Sequence, residues 1–137
     1  MTLLSAWSAP YPISANRYWR RTKTGRLYVS QEAQDYKSRF VLNACELEIG
    51  KEFEPTAEKV TVHIVVFPKM NKDESECKTL VDIDNSVKIA LDALNGKAYL
   101  DDKQVKRLIV DYGEAVYGGG LYVELREFTK IVFKREW

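Results

Sequence analysis

The sequence predicts an α+β fold, a mixed α/β arrangement in a single domain over residues 1–137, with one mixed β-sheet packed against two main helices. Three observations predict it. Residues 60–67 (VTVHIVVF) are dense in β-branched side chains, as a mostly buried strand requires. Two other segments, one beginning at Gln31 and one near Asp84, repeat apolar residues at three- and four-residue spacing, the period of a helix buried on one side. Strand-like and helix-like segments also alternate in the order strand, helix, strand, helix, strand, strand, which suits one sheet. A chain of 137 residues can bury one core but not two ordinary ones.

From the N-terminus, residues 2–8 read as a short strand, and Pro10 and Pro12 break the regularity after it. Residues 16–28 are polar, aromatic and basic, with a turn at Thr24-Gly25. Ser30 is placed to N-cap a first helix over residues 31–49. Its buried stripe is Ala33, Tyr36, Phe40, Ala44 and Leu47, and Gly50 closes it as a C′ residue. The strand at 60–67 ends at Pro68, and residues 69–79 form a polar loop of mixed charge. A second helix starts near Asp84 or Asn85, buries Val87, Ala90, Leu91 and Leu94, and ends at Asn95-Gly96. Residues 105–112 and 120–128 are the last strands. In the second of these, Leu121, Val123 and Leu125 alternate with Tyr122, Glu124 and Arg126. Gly118, Gly119 and Gly120 between them make a hairpin tip or a flexible loop, and the basic end KIVFKREW an added strand or a docked tail.

Composition removes several function classes. No apolar run approaches the ~20 residues needed to span a bilayer, and the first residues lack the basic and apolar regions of a signal peptide. Cys45 and Cys77 have no metal-ligand spacing and read as reduced thiols, so a cytoplasmic location is expected. The glycine triplet is not followed by Lys-Ser or Lys-Thr, so no nucleotide cofactor is expected. His63, alone inside a β-branched run, reads as a strand residue rather than a base, and Tyr112, Tyr117 and Tyr122 as sheet and rim residues. Net charge is only +1, but it is unevenly spread. Residues 1–26 hold five Arg or Lys and no acid, whereas residues 82–102 hold five acids and two lysines. An acidic centre beside a basic segment suits a protein that brings a metal ion to a polyanion.

The chemistry is concentrated in residues 80–105, LVDIDNSVKIALDALNGKAYLDDKQV. Asp82 and Asp84 are two apart, so on extended chain their carboxylates point to one side. Asp84, Lys88 and Asp92 line one polar face of the helix. A short helix and the loop after it allow Asp102, next to Asp101, to return beside the first pair. Three carboxylates near one helix start repel one another unless a divalent cation lies between them. Hard oxygen donors with room for water suit Mg²⁺, with Mn²⁺ as a substitute. One His and unpaired Cys argue against zinc, and Val87 and Ala93 stand where an EF-hand needs Gly and Glu. Such an ion can polarise a phosphoryl oxygen, activate water and stabilise the leaving oxygen of a phosphodiester, with Lys88 stabilising developing charge or holding the carboxylates. Each Asp taken singly is an ordinary solvated acid; together they make a site.

This stretch resembles the RusA family of Holliday junction resolvases. The matching residues are Asp82-x-Asp84-Asn85, Lys88, Asp92, Leu94-Asn95-Gly96 and Leu100-Asp101-Asp102-x-Gln104-Val105. Upstream, SANRYWR (residues 14–20) is similar to the family's Asn-x-Tyr-Trp-Arg start. The resemblance implies a RusA-like fold and a homodimeric, Mg²⁺-dependent endonuclease of bacteria and their phages or prophages. It implies symmetric paired cleavage of four-way junction DNA in recombination and repair. It also implies that Asp82, Asp84 and Asp102 are metal-binding catalytic carboxylates and that Lys88 is the essential lysine. Asp101 is a weaker candidate and Asp92 a supporting residue. One departure is that residues 69–79 carry Asp73, Glu74 and Glu76, where some members have a strongly basic loop.

In the basic segment, Arg17, Arg20, Arg21, Lys23 and Arg26 are candidate DNA contacts, with Arg20 and Arg21 foremost; the interleaved Tyr18, Trp19 and Tyr28 read either as base-stacking or as packing residues, and Trp19 is assigned to packing. Two further functions compete: a metal-dependent nuclease for flaps or other branched DNA, and a DNA-binding or assembly protein that does no cutting. All three carboxylates and Lys88 are present, which argues against the last. Paired cuts need two centres, and one chain has one motif, so a C₂ dimer is expected. Leu121, Val123 and Leu125, or Ile131, Val132 and Phe133, are its candidate surfaces.

Overall fold

A computed structural model of the chain describes residues 3–45, 51–77 and 83–133. In chain order the elements are β1 (Leu3–Ala9), α1 (Ala15–Tyr18), β2 (Trp19–Arg21), β3 (Leu27–Val29), α2 (Gln31–Ser38), β4 (Val41–Cys45), β5 (Val60–Phe67), α3 (Ile83–Leu94), a 3-10 turn (Asp102–Gln104), β6 (Val105–Tyr112) and β7 (Gly120–Glu127). The main sheet runs β4-β1-β7-β5-β6, and β2 and β3 form a separate antiparallel pair. Only β5 and β6 pair in parallel; the other neighbours in the main sheet are antiparallel. The architecture is thus α+β with a mixed sheet. Among the described residues no helix is long and apolar enough to cross a membrane.

Strand β5 is interior, flanked by β7 and β6, and its sequence explains why. Val60, Val62, Ile64 and Val66 point to one face and are fully buried, meeting Leu121, Val123 and Leu125 of β7 on the same side. The other face is polar: the His63 Nε2 lies 2.7 Å from the Asp111 Oδ2, and Arg126 pairs with Glu124 at 3.0 Å. His63 is therefore a strand residue with a carboxylate neighbour. The parallel pairing of β5 and β6 requires a crossover, and α3 lies within that connection. Gly96, at φ +80, closes the end of α3 by accepting a left-handed conformation, and its N–H bonds to the Tyr99 carbonyl at 2.8 Å.

Four expectations need correction. The first helix does not run to residue 49. Ser30 does cap it, accepting the Ala33 N–H at 3.1 Å, but it ends at Ser38 and residues 41–45 pair with β1 as an edge strand. Ala33, Tyr36 and Phe40 are buried as expected, whereas Ala44 is exposed on β4. The edge of β1 offers Val41–Cys45 backbone pairing, with one irregularity between Ala6 and Trp7, and that outweighs a helical spacing. Leu47 and Gly50 lie outside the described residues.

Second, the face of α3 turned to the core carries Ser86, Ile89, Ala90, Ala93 and Leu94, with Val87 and Leu91 only partly buried. Third, Gly118–Gly120 is not a hairpin tip, because β6 and β7 do not pair with each other; β5 lies between them. Fourth, Leu121, Val123 and Leu125 are at most 2 % exposed and belong to the core, so they offer no dimer surface. Ile131, Val132 and Phe133 remain exposed. The loop at 69–77 closes on itself, with Met70 bridging to Glu76 and Ser75 donating to Asp73, which holds the Asp73 carboxyl below its ordinary range.

The centre of the core is Ile64, which is fully buried. Ile64→Ala should lower unfolding free energy by about 2–5 kcal/mol, while Leu27→Ala at an exposed position should change it by less than about 0.5 kcal/mol. Urea denaturation measures both, and equal losses would contradict this placement of the core.

Candidate active site

Asp84 sits in the first turn of α3 and is exposed. Its charge opposes the positive end of the helix dipole. Lys88, one turn on, is also exposed. Asp92, one turn further, is different. It is partly buried, accepts a short hydrogen bond from the Tyr18 hydroxyl, and pairs with the Lys37 Nζ at 2.5 Å. Lys37 in turn lies 5.6 Å from the Tyr18 ring centroid, and its backbone carbonyl accepts the Lys97 Nζ at 2.8 Å. Three elements, α1, α2 and α3, therefore meet at one carboxylate. Burial first, then the Asp92 hydrogen bond and charge, push the Tyr18 phenol far above its ordinary range. Asp92, for which a supporting role is expected, is thus tied to Tyr18 and Lys37, partners that the sequence did not single out.

The second acidic segment divides its work. Asp101 is the N-cap of the 3-10 turn. Its Oδ1 accepts the Lys103 N–H at 2.9 Å, while Gln104 Oε1 accepts the Asp101 N–H at 2.8 Å, a reciprocal capping box. The Gln104 amide also donates to the Thr56 and Glu58 carbonyls, each at 2.8 Å, which fixes the turn against the chain before β5. Hydrogen bonds from Lys103 N–H and from the Asp102 side hold the Asp101 carboxyl below its ordinary range. Asp102 opens the turn and is exposed. Between the two acidic segments stands Tyr99, fully buried, its hydroxyl donating to the Leu91 carbonyl at 2.5 Å. Burial raises its phenol far above the ordinary range, and the charges of Asp102, Asp92 and Asp101 raise it further.

Asp82 lies outside the described residues. Among the described residues no three His, Cys, Asp or Glu side chains are grouped closely enough to hold a metal ion. The donors that can be placed, Asp84 and Asp102, are exposed oxygen ligands of the hard type that Mg²⁺ or Mn²⁺ takes.

The basic segment folds as α1 followed by the β2–β3 pair. Gly25 at φ +86 turns the chain, and its N–H bonds to the Thr22 carbonyl at 2.9 Å. Arg17, Arg20, Arg21, Lys23 and Arg26 are all exposed. Arg17 pairs with Glu32 at 3.1 Å, so its charge is partly offset. The assignment of Trp19 to packing is corrected: Tyr18 is the buried ring, at 3 % exposure, and Trp19 is 45 % exposed. Tyr18 ends the single turn of α1 facing the core, and Trp19 opens β2 on the other side, opposite Val29. A groove lined by Tyr18, Trp19, Asn85, Lys88 and Ile89 joins this arm to the motif helix.

One exposed carboxylate, Asp84, and the exposed Lys88 stand on the first two turns of α3, beside a basic arm. The family model for endodeoxyribonuclease RusA matches residues 10–126, and the chain belongs to that family of Holliday junction resolving nucleases, which are in general dependent on a divalent metal. A search of curated proteins finds no match.

Tyr18, Tyr36 and Tyr99 all have phenols raised chiefly by burial. In the unfolded chain these groups ionise near their ordinary value of 10.0. Above that pH the folded chain binds more protons than the unfolded one, so stability must fall as pH rises. Urea midpoints should therefore drop above about pH 10, and the drop should be smaller in Tyr18→Phe. A midpoint that rises there, or an unaltered slope in Tyr18→Phe, would contradict the buried, neutral phenols.

Proposed function

We propose that this chain is a Mg²⁺-dependent resolvase that cuts four-way junction DNA by paired, symmetric incisions during recombination and repair, acting as a homodimer in the cytoplasm of a bacterium, or as a phage- or prophage-encoded protein. The observation that carries the reading is the shared groove, in which Lys88 and Asn85 of the motif helix meet the arm that bears Arg20 and Arg21. The family match supports it.

On this reading Asp82, Asp84 and Asp102 hold the cation. When bound, the ion supplies Lewis acidity toward the scissile phosphodiester and the attacking water. Lys88, exposed one turn beyond Asp84, meets negative charge as it develops on the phosphoryl oxygens. Arg20, Arg21, Lys23 and Arg26 bind flanking phosphates, with Arg17 contributing less because Glu32 pairs with it. Asp101 does not ligate; it holds the turn that presents Asp102. Asp92 anchors the motif helix to the arm. Two such centres related by a two-fold axis match the two-fold placement of the incisions, and the exposed Ile131, Val132 and Phe133 supply apolar surface for the dimer.

The test is a pair of measurements on a labelled four-way junction with Mg²⁺. Asp84→Asn or Asp102→Asn should each abolish cleavage while leaving junction affinity within about twofold, because ligand charge is lost and the basic surface is untouched. Cleavage by Asp102→Asn at the wild-type rate would overturn the three-carboxylate assignment.

Lys88→Ala should lower the cleavage rate by about a hundredfold or more, the range seen when one preorganised donor to transition-state charge is removed, with a far smaller loss of affinity. Binding and cleavage that fall in equal proportion would make Lys88 an ordinary phosphate contact. For assembly, light scattering should report a dimer, and a supercoiled cruciform plasmid should yield mainly linear product. A monomer that leaves only nicked circles would contradict paired incision.

A further inference from the structure

We propose that Trp19 forms, with Asn85 and Lys88, a nucleobase-stacking subsite that receives an unpaired or unstacked base from the DNA strand lying along the motif helix. The inference rests on the nuclease reading above and goes beyond it, since that reading uses only phosphate contacts and the carboxylate centre.

The first observation is that Trp19 leaves a large apolar ring exposed where the fold had a buried place for one aromatic and gave it to Tyr18. Its backbone is held in the β2–β3 pair opposite Val29. Its ring stands edge-on against Tyr18, with centroids 5.2 Å apart and planes at 69°. Tyr18 is itself fixed by its bond to Asp92. The exposed indole is thus backed by a rigid partner, so little side-chain entropy remains to be lost when a base stacks on it.

The second observation is what shares the groove. It is lined by Tyr18, Trp19 and Ile89 together with Asn85 and Lys88 of the motif helix. An amide can both donate to and accept from a base edge, and an ammonium can neutralise the adjoining phosphate. Aromatic and aliphatic surface beside an amide and an ammonium suits a heterocycle attached to a phosphodiester. Charge selects the same occupant: Arg20 and Arg21 follow Trp19 directly on β2. Fully paired duplex keeps its bases stacked inside the helix, so the subsite discriminates in favour of branch points, gaps and single strands.

Binding is measured in EDTA, where no cleavage occurs, by fluorescence anisotropy of three labelled probes: a short oligo-dT strand, a blunt duplex and a four-way junction. Trp19→Ala should weaken binding of oligo-dT and of the junction by about fivefold or more, with duplex binding changed by less than about twofold. Trp19→Phe, which keeps a stacking ring and the β2–β3 packing, should recover most of the loss. In the wild type, oligo-dT should quench tryptophan emission, and Trp19→Phe should remove that quenching while still binding the strand. Weakening by the same factor on all three probes, no weakening, no wild-type affinity for oligo-dT, or quenching that survives Trp19→Phe would each overturn the subsite. If the wild type binds oligo-dT through Trp19 but cuts no four-way junction with Mg²⁺, the resolvase reading fails and the subsite stands. If it resolves junctions and Trp19→Ala binds oligo-dT normally, the subsite alone fails.

Discussion

Everything proposed for this protein depends on a carboxylate that does no chemistry. Asp92 sits partly buried on the polar face of the motif helix, off the stripe that faces the core. The Tyr18 hydroxyl and the Lys37 ammonium satisfy it from two other elements. Because each partner belongs to a different segment, α3 cannot rotate or slide without breaking one of them. Lys88 and Asp84 lie one and two turns earlier on the same polar face and are exposed. The tie through Asp92 brings the arm carrying Trp19, Arg20 and Arg21 alongside, so that the arm and the helix share a groove.

The five acids of residues 82–102 therefore do not act as one cluster. Asp92 is a tie between helices, and Asp101 is a cap whose oxygen is engaged by the Lys103 N–H. Asp84 and Asp102 are exposed at the starts of their elements, and with Asp82 they are the proposed metal ligands. The same division is visible in the tyrosines. Tyr18 and Tyr99 are buried under the site with raised phenols, while Tyr28 and Tyr117 are exposed. A polar network beneath a site, satisfied at every member, keeps exposed ligands in place without taking part in ligation.

Where local sequence and tertiary context agree, the elements were legible. The β-branched run at 60–67, the alternation at 121–125 and the Asn95-Gly96 stop each carry a strong local signal, and each is found as read. The extension of the first helix beyond Ser38 failed over residues 41–45 because its spacing pattern could not register the pairing that β1 offers them. Tyr18 and Trp19 are adjacent aromatics, and nothing in their identity says which is buried; the single turn of α1 and the partner on α3 decide it. Similarly, alternation located the apolar face of β7 but did not say that β5 and β1 flank it on both sides and that its apolar residues lie in the core. The motif itself was legible because it is long and fixed in spacing, and the family match covers it. The Asp92 anchor was half legible: an acid on the polar face at i+8 from Asp84 was noticed, but its partners come from residues 18 and 37, distant in sequence.

The central claim is that the start of α3 and the Asp102 turn together hold one divalent ion. Oxidative cleavage of the polypeptide by Fe²⁺ substituted for Mg²⁺ tests it without relying on activity, because a bound ferrous ion cuts backbone only close to itself. Fragments should map to two places, around residues 82–84 and around residues 101–102. Excess Mg²⁺ should suppress both cuts, and Asp84→Asn should abolish both at once. Cuts confined to one of the two segments, or to neither, would contradict a shared centre.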